Sequence, residues 1–110
     1  MRTLRLPREH TMPTLLANYT ITEGTFSEVV DAAKGGMLET FNEQPGFISY
    51  QFADTGEGTC VSISLWETHA QAKAAVPVAA TWVREHLGDR IELRSSQVGD
   101  AFFGGVPATV

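Results

Sequence analysis

The stretch Pro45-Gly46-Phe47-Ile48-Ser49-Tyr50-Gln51-Phe52-Ala53-Asp54-Thr55-Gly56-Glu57-Gly58-Thr59-Cys60-Val61-Ser62-Ile63-Ser64-Leu65-Trp66-Glu67 decides how this chain folds. From Phe47 to Ala53, the residues Ile48, Tyr50 and Phe52 alternate with Phe47, Ser49 and Gln51. From Thr59 to Trp66, Val61, Ile63 and Leu65 alternate with Cys60, Ser62, Ser64 and Trp66. A period of two places alternate side chains on opposite faces of a strand, and the glycine-containing segment Asp54 to Gly58 has hairpin length, so the two runs predict an antiparallel hairpin. Neither face of the second run carries a charge, whereas a sheet with one wet face would show charges there. Each face is therefore expected to be covered, by helices on the Ser62 and Trp66 side and by a second sheet on the Val61, Ile63 and Leu65 side. The simplest source of a second sheet is another copy of the chain.

Upstream, Leu15, Ala17, Tyr19 and Ile21 alternate with Leu16, Asn18, Thr20 and Thr22, which predicts strand one over Thr14 to Thr22. Thr25-Phe26-Ser27-Glu28 has the spacing of a capping box, and Phe26, Val30, Ala33, Met37 and Phe41 then recur at steps of three and four. Helix one is predicted to run to about Glu43, with Gly35-Gly36 marking a close approach or a break. Downstream, Thr68-His69-Ala70-Gln71 repeats the capping-box logic and opens an alanine-rich helix two, expected to split at Pro77 and to stop at Gly88. Arg90 to Val98 predicts strand four, with Ala101-Phe102-Phe103 extending it or packing separately. The fold class is α+β, in the order βαββαβ, with residues 1–12 an extended or disordered tail and 13–110 a single domain.

The chain has 110 residues, is 43% hydrophobic and carries a formal charge of −5. Three of its eight basic residues, Arg2, Arg5 and Arg8, lie in the first eight positions, and beyond position 11 five basic residues face twelve acidic ones, a formal −7. That balance excludes nucleic acid and anionic membrane surfaces as partners, since both need clustered Lys and Arg. The single cysteine, Cys60, cannot form an internal disulfide, and no secretory or membrane-spanning apolar run is present, so a cytoplasmic location is expected. No metal-ligand spacing, phosphate loop or Ser-His-Asp arrangement occurs, so no metal is expected.

The segments Gly35-Gly36-Met37-Leu38-Glu39-Thr40-Phe41, Pro45-Gly46-Phe47-Ile48-Ser49 and Val61-Ser62-Ile63-Ser64-Leu65-Trp66-Glu67-Thr68 together resemble the antibiotic biosynthesis monooxygenase family of dimeric α+β barrels. The resemblance covers about residues 14–103. It implies a ferredoxin-like subunit with an antiparallel sheet that pairs back to back with its twin, and a cleft between sheet and helices that takes a small hydrophobic or aromatic ligand. The best-known enzymes of the family oxidise polyphenolic polyketide intermediates with molecular oxygen and no cofactor. Their Asn, four residues before the strand-ending Trp, is Ser62 here, their Trp is Trp66, and their Tyr, six residues after it, is Ala72.

The resemblance thus implies Trp66, Ser62, Asn18 and His86 as catalytic candidates, with Tyr19, Trp82 and Phe41 contacting substrate and no cofactor bound. A second branch of the superfamily binds and degrades haem, which offers an alternative: His86 near the iron-ligand position, Trp82 one turn earlier, Val76 at the position that crowds the haem, and Asn18 on strand one. A third reading is a non-catalytic ligand-binding dimer. Each candidate also has an ordinary reading: Trp66 as core, His86 as a cation at a helix C-terminus, Ser62 as room for a helix, Cys60 as a small buried hydrophobe and Arg84 on a solvated face.

Overall fold

The computed structural model describes residues 12–101. Strand β1 (Met12–Ile21) leads into helix α1, which consists of the α-helical segment Phe26–Ala32, a π-helical turn Ala33–Met37 and the segment Leu38–Asn42. Strands β2 (Phe47–Gly56) and β3 (Thr59–Trp66) form the hairpin, followed by helix α2 (His69–Leu87) and strand β4 (Ile91–Ala101). The four strands form one antiparallel sheet in the order β2-β3-β1-β4. This is the expected ferredoxin-like βαββαβ arrangement. Met12 belongs to β1 and Ala101 extends β4, while the rest of the expected tail and Phe102-Phe103 lie outside the described residues.

Both capping boxes form. The Thr25 hydroxyl accepts from the Glu28 amide and Glu28 accepts from the Thr25 amide, and Thr68 and Gln71 repeat the exchange at α2. The second box also explains Pro45-Gly46. Gly46 has φ of +82°, and a Cβ there would stand 1.9 Å from the Gln71 Oε1, while its carbonyl accepts from the Glu67 amide at 2.9 Å. Only glycine fits both the backbone angle and the contact. The Pro-Gly-Phe and Trp-Glu elements are thus two halves of one corner, where the chain leaves α1 for β2 beside the start of α2.

The inward stripe of α1 is Val29, Ala33, Met37 and Phe41, all buried, and not Val30, which is half-buried. Steps of four overshoot a full α-helical turn by about 40° each. Three such steps hold one face only if the helix widens, which the π turn supplies. Helix α2, expected to split at Pro77, runs unbroken through it. Pro77 is exposed, so the carbonyl its ring leaves unbonded faces water. The inward face of α2 is Ala72, Ala75, Ala79, Trp82, Val83 and Leu87.

Two strands depart from strict alternation. In β2, Phe47 pairs with Trp66 and Ser49 with Leu65, so Ile48 is bulged out and exposed, and Phe47, Tyr50 and Phe52 share the helix-facing side. The expected grouping of Ile48 with Tyr50 and Phe52 fails at that bulge. In β4, Asn18 pairs with Ser95 and Tyr19 with Leu93, leaving Arg94 without a β1 partner. Ile91 and Leu93 therefore share a face with Tyr19, whereas beyond the bulge Ser96 and Val98 take over that face opposite Ala17 and Leu15.

Candidate functional site

The sheet registers settle which candidates share a face. Leu15, Ala17 and Tyr19 lie opposite Ser64, Ser62 and Cys60 and face the helices; Leu16 and Asn18 lie opposite Ile63 and Val61 on the outer face. Ser62 and Trp66 are on the helix side, as their alternation requires. Asn18 is on the other, where its Nδ2 donates to the Ser95 Oγ at 3.2 Å.

Between sheet and helices the interior has two unlike ends. At the β2–β3 corner, Trp66 is fully buried, its Nε1 donates to the Ser64 Oγ at 2.8 Å, and its ring meets Phe41 and Phe47 edge-on with centroids 5.3 and 5.4 Å away. Tyr50 packs edge-on against Phe41 from the other side, at 5.4 Å. Trp66 and Phe41, candidates for catalysis and substrate contact, are thus locked into the core.

The other end is open. Tyr19 lines three separate spaces. One is a narrow gap of about 10 Å³ under α1, shared with Met37, Tyr50, Phe52 and Trp82. Another, of similar volume, lies under α2 beside Leu15, Ala17, Val76 and Ala79. The largest of the three is a groove of about 290 Å³ between the C-terminal half of α2 and the start of β4, lined by Ala80, Val83, Arg84, Gly88, Ile91, Glu92 and Leu93. The groove exists because Ala80 is too small to fill the space over Leu93, which is left 41% exposed.

The hydroxyl groups near this end are held protonated. Burial raises the pKa of Tyr19, an effect that the nearby Ser62 hydroxyl moderates and the neighbouring Cys60 reinforces. Burial also pushes Tyr50 up, assisted by Tyr19 and Cys60. The Cys60 thiol is pushed up to about 11, first by desolvation and then by the Asp54 carboxylate. Tyr19 is therefore a neutral phenol at physiological pH, able to donate a hydrogen bond or a proton and unsuited to act as a base.

Trp82 closes the α1 side. Its ring lies against Gly36, where a Cβ would stand 2.3 Å from Cζ2, and His86 stacks on it with centroids 4.6 Å apart. His86 is exposed and its Nδ1 lies 3.0 Å from the Trp82 carbonyl oxygen, outside the residues that line the three spaces around Tyr19. The residues expected to hold a haem do not converge: Asn18 is on the outer sheet face, His86 on the outside of α2, and Val76 beneath it. They do not fit that group. Ala72, where the family's enzymes carry Tyr, is fully buried. No group of three or more metal-ligating side chains occurs among the described residues.

Of the sequence candidates, Tyr19 and Ser62 come together and Trp82 borders the same interior, whereas Trp66, Phe41, Asn18 and His86 lie elsewhere. Tyr50, Ile91 and Leu93 are site-lining residues that the sequence does not single out as such, and Arg84, whose ordinary reading is a solvated face, lines the groove too. The signal for the first three lay in the parity of β2 and β4, where the apolar residues change phase at Ile48 and Arg94.

These features define a ferredoxin-like α+β subunit with an apolar groove at one end of its sheet–helix interior. The antibiotic biosynthesis monooxygenase model matches residues 12–76, and the chain belongs to that family. Solved structures share the fold at low sequence identity. A protein of unknown function from Nitrosomonas europaea, NE2512, is 15% identical over 90% of this chain and 97% of its own, with a TM-score of 0.68. SnoaB, a cofactor-independent oxygenase from Streptomyces nogalater, is 18% identical over 90% and 98%, with a TM-score of 0.59. A monooxygenase from the gene ActVA-Orf6 of Streptomyces coelicolor, solved with the ligand nanaomycin D, is 21% identical over 96% and 98%, with a TM-score of 0.60. No curated protein sequence matches the chain. Among the described residues no helix is long and apolar enough to cross a membrane.

Proposed function

We propose that this protein is a cofactor-independent monooxygenase that oxidises a phenolic aromatic molecule in the groove between α2 and β4. The observation that carries the reading is Tyr19, a buried phenol kept neutral by its surroundings and standing at the junction of the groove with the interior. Family membership and the fold shared with SnoaB support an oxygenase that needs no cofactor, and the nanaomycin D bound by the Streptomyces coelicolor enzyme supports a small-molecule substrate.

A phenolate is electron-rich enough to pass one electron to oxygen, and recombination of the resulting radical with superoxide forms a carbon–oxygen bond. Breaking the O–O bond of that peroxide oxidises an activated ring methylene to a carbonyl, and the second oxygen atom leaves as water. The protein's part is to exclude water and to supply a proton to the departing oxygen, a role for which the neutral phenol of Tyr19 is suited. This arrangement does without the acid that Ala72 cannot provide. The reading includes a homodimer, because the outer sheet face presents Leu16, Val61, Ile63 and Leu65 with no charge among them.

One metal-free preparation tests both parts. Light scattering should report twice the 12.0 kDa chain mass. An oxygen electrode should record uptake of one oxygen per molecule of an anthrone-type phenol. Tyr19→Phe should lower that uptake about 10²-fold or more while leaving the fold intact. Uptake no faster than the autoxidation of the phenol alone would leave the protein a ligand-binding dimer.

A further inference from the structure

We infer that Arg84 makes this groove selective for aromatic molecules carrying a carboxylate or another anionic group. The inference rests on the groove being the ligand site, and it names the class of molecule the site takes.

Arg84 lies in the last turn of α2 and contributes one wall of the groove. Its only hydrogen bond among the described residues is a long one, from Nη2 to the Thr81 Oγ1 at 3.4 Å, and no carboxylate pairs with it there. The one acidic residue of the same lining, Glu92, is engaged elsewhere, since its Oε1 accepts from the Arg94 Nη1 at 3.0 Å. Arg94 is the residue bulged out of the β1–β4 pairing, so the bulge that turns Leu93 into the groove also sets a cation beside Glu92. The groove therefore has an apolar floor of Tyr19, Val83, Ile91 and Leu93, one acidic group already paired, and one guanidinium with no carboxylate partner among the described residues.

A planar guanidinium binds a carboxylate through two parallel hydrogen bonds, and it does so best beside an apolar surface that removes competing water. A flat aromatic acid meets both demands: its ring covers Leu93 and Ile91, and its carboxylate reaches Arg84. In a chain with twelve acidic residues beyond position 11, an anion finds few other places where it is not repelled. The ordinary alternative is that Arg84 serves the helix alone, as a cation at the negative end of its dipole.

The test is binding, measured without turnover, so that it can succeed or fail independently of the oxygenase reading. Titrating the protein with 1-hydroxy-2-naphthoate and with its methyl ester should show the acid binding roughly five- to tenfold more tightly, the range expected of an exposed charge-assisted pair. Arg84→Gln should remove that preference while sparing ester binding, and Arg84→Lys should keep part of it. Leu93→Glu, at an exposed position that leaves the fold intact, should weaken the acid more than the ester. Equal affinities in the wild-type protein, no binding of either compound, or an acid preference that survives Arg84→Gln would each overturn the inference. A lower melting temperature in Arg84→Gln with unchanged affinities would assign the residue to the helix dipole. Failure of oxygen uptake with the preference intact would leave the inference standing and remove the oxygenase.

Discussion

The two ends of the sheet–helix interior are built from similar residues and behave differently. At the corner end, Phe41, Phe47, Tyr50 and Trp66 interlock ring against ring, and the Trp66 indole N–H is satisfied by Ser64. At the far end, Tyr19, Trp82 and Ile91 are as buried, yet a groove opens beside Tyr19 and Ile91, because α2 offers Ala79 and Ala80 where the corner end has rings. Aromatic content alone does not make a site. Small residues opposite the aromatics do, and they separate the residues that specify the fold from those that can hold a ligand.

The contrast is broken most severely at Trp66. Trp66→Ala removes a fully buried ring from the interlocked cluster and should cost about 3–5 kcal/mol, measured by denaturant unfolding. The fraction that remains folded should keep most of its oxygen uptake, unlike Tyr19→Phe. A small loss of stability combined with a complete loss of uptake would invert the assignment of the two ends and restore Trp66 to catalysis.

The next effect belongs to the far end alone. Cys60, paired with Tyr19 across the β1–β3 register, has its thiol raised from 9.0 to about 11 by burial and the Asp54 charge. The folded state thus holds this proton more tightly than the unfolded chain. The stability it contributes is fully present below about pH 9 and is lost as the pH rises through 11, by at most about 2–3 kcal/mol. Tyr19 and Tyr50, also raised, carry the loss to higher pH. Melting temperature should therefore fall steadily above pH 9, and Cys60→Ala should flatten the first part of the fall. An unchanged profile in that variant would place the titrating group elsewhere.

Much of this contrast could be read from the chain, and the misses share one cause. Alternation in the strands, the turn from Asp54 to Gly58, two capping boxes and the stop at Gly88 located the elements and put Ser62 and Trp66 on the helix side. Alternation assumes an unbroken register, however, and two bulges broke it. Ile48 moved out of the interior and Leu93 moved toward the groove, each by one inserted residue. The expected stripe of α1 missed Val29 for a related reason, since a π turn changes the period partway along the helix. Pro77 was misjudged because its local cost depends on whether the freed carbonyl meets water, which only the fold decides. The site escaped because a groove is made by what is small, and Ala80 carries no motif.

The finest test of the contrast uses two adjacent glycines in the π turn of α1. At Gly35 no heavy atom lies within 4 Å of where a Cβ would stand, so Gly35→Ala should stabilise the protein by roughly 0.5–1 kcal/mol by restoring helix propensity. At Gly36 the same added methyl would run into the Trp82 ring, on which His86 also stacks. Gly36→Ala should therefore destabilise by about 1–2 kcal/mol despite the same gain in propensity, because Trp82 has to move. Trp82 lines the gap beside Tyr19, so this variant should also change ligand affinity, whereas Gly35→Ala should not. If both substitutions stabilise and neither alters binding, Trp82 has room to shift, and the far end is looser than its burial implies.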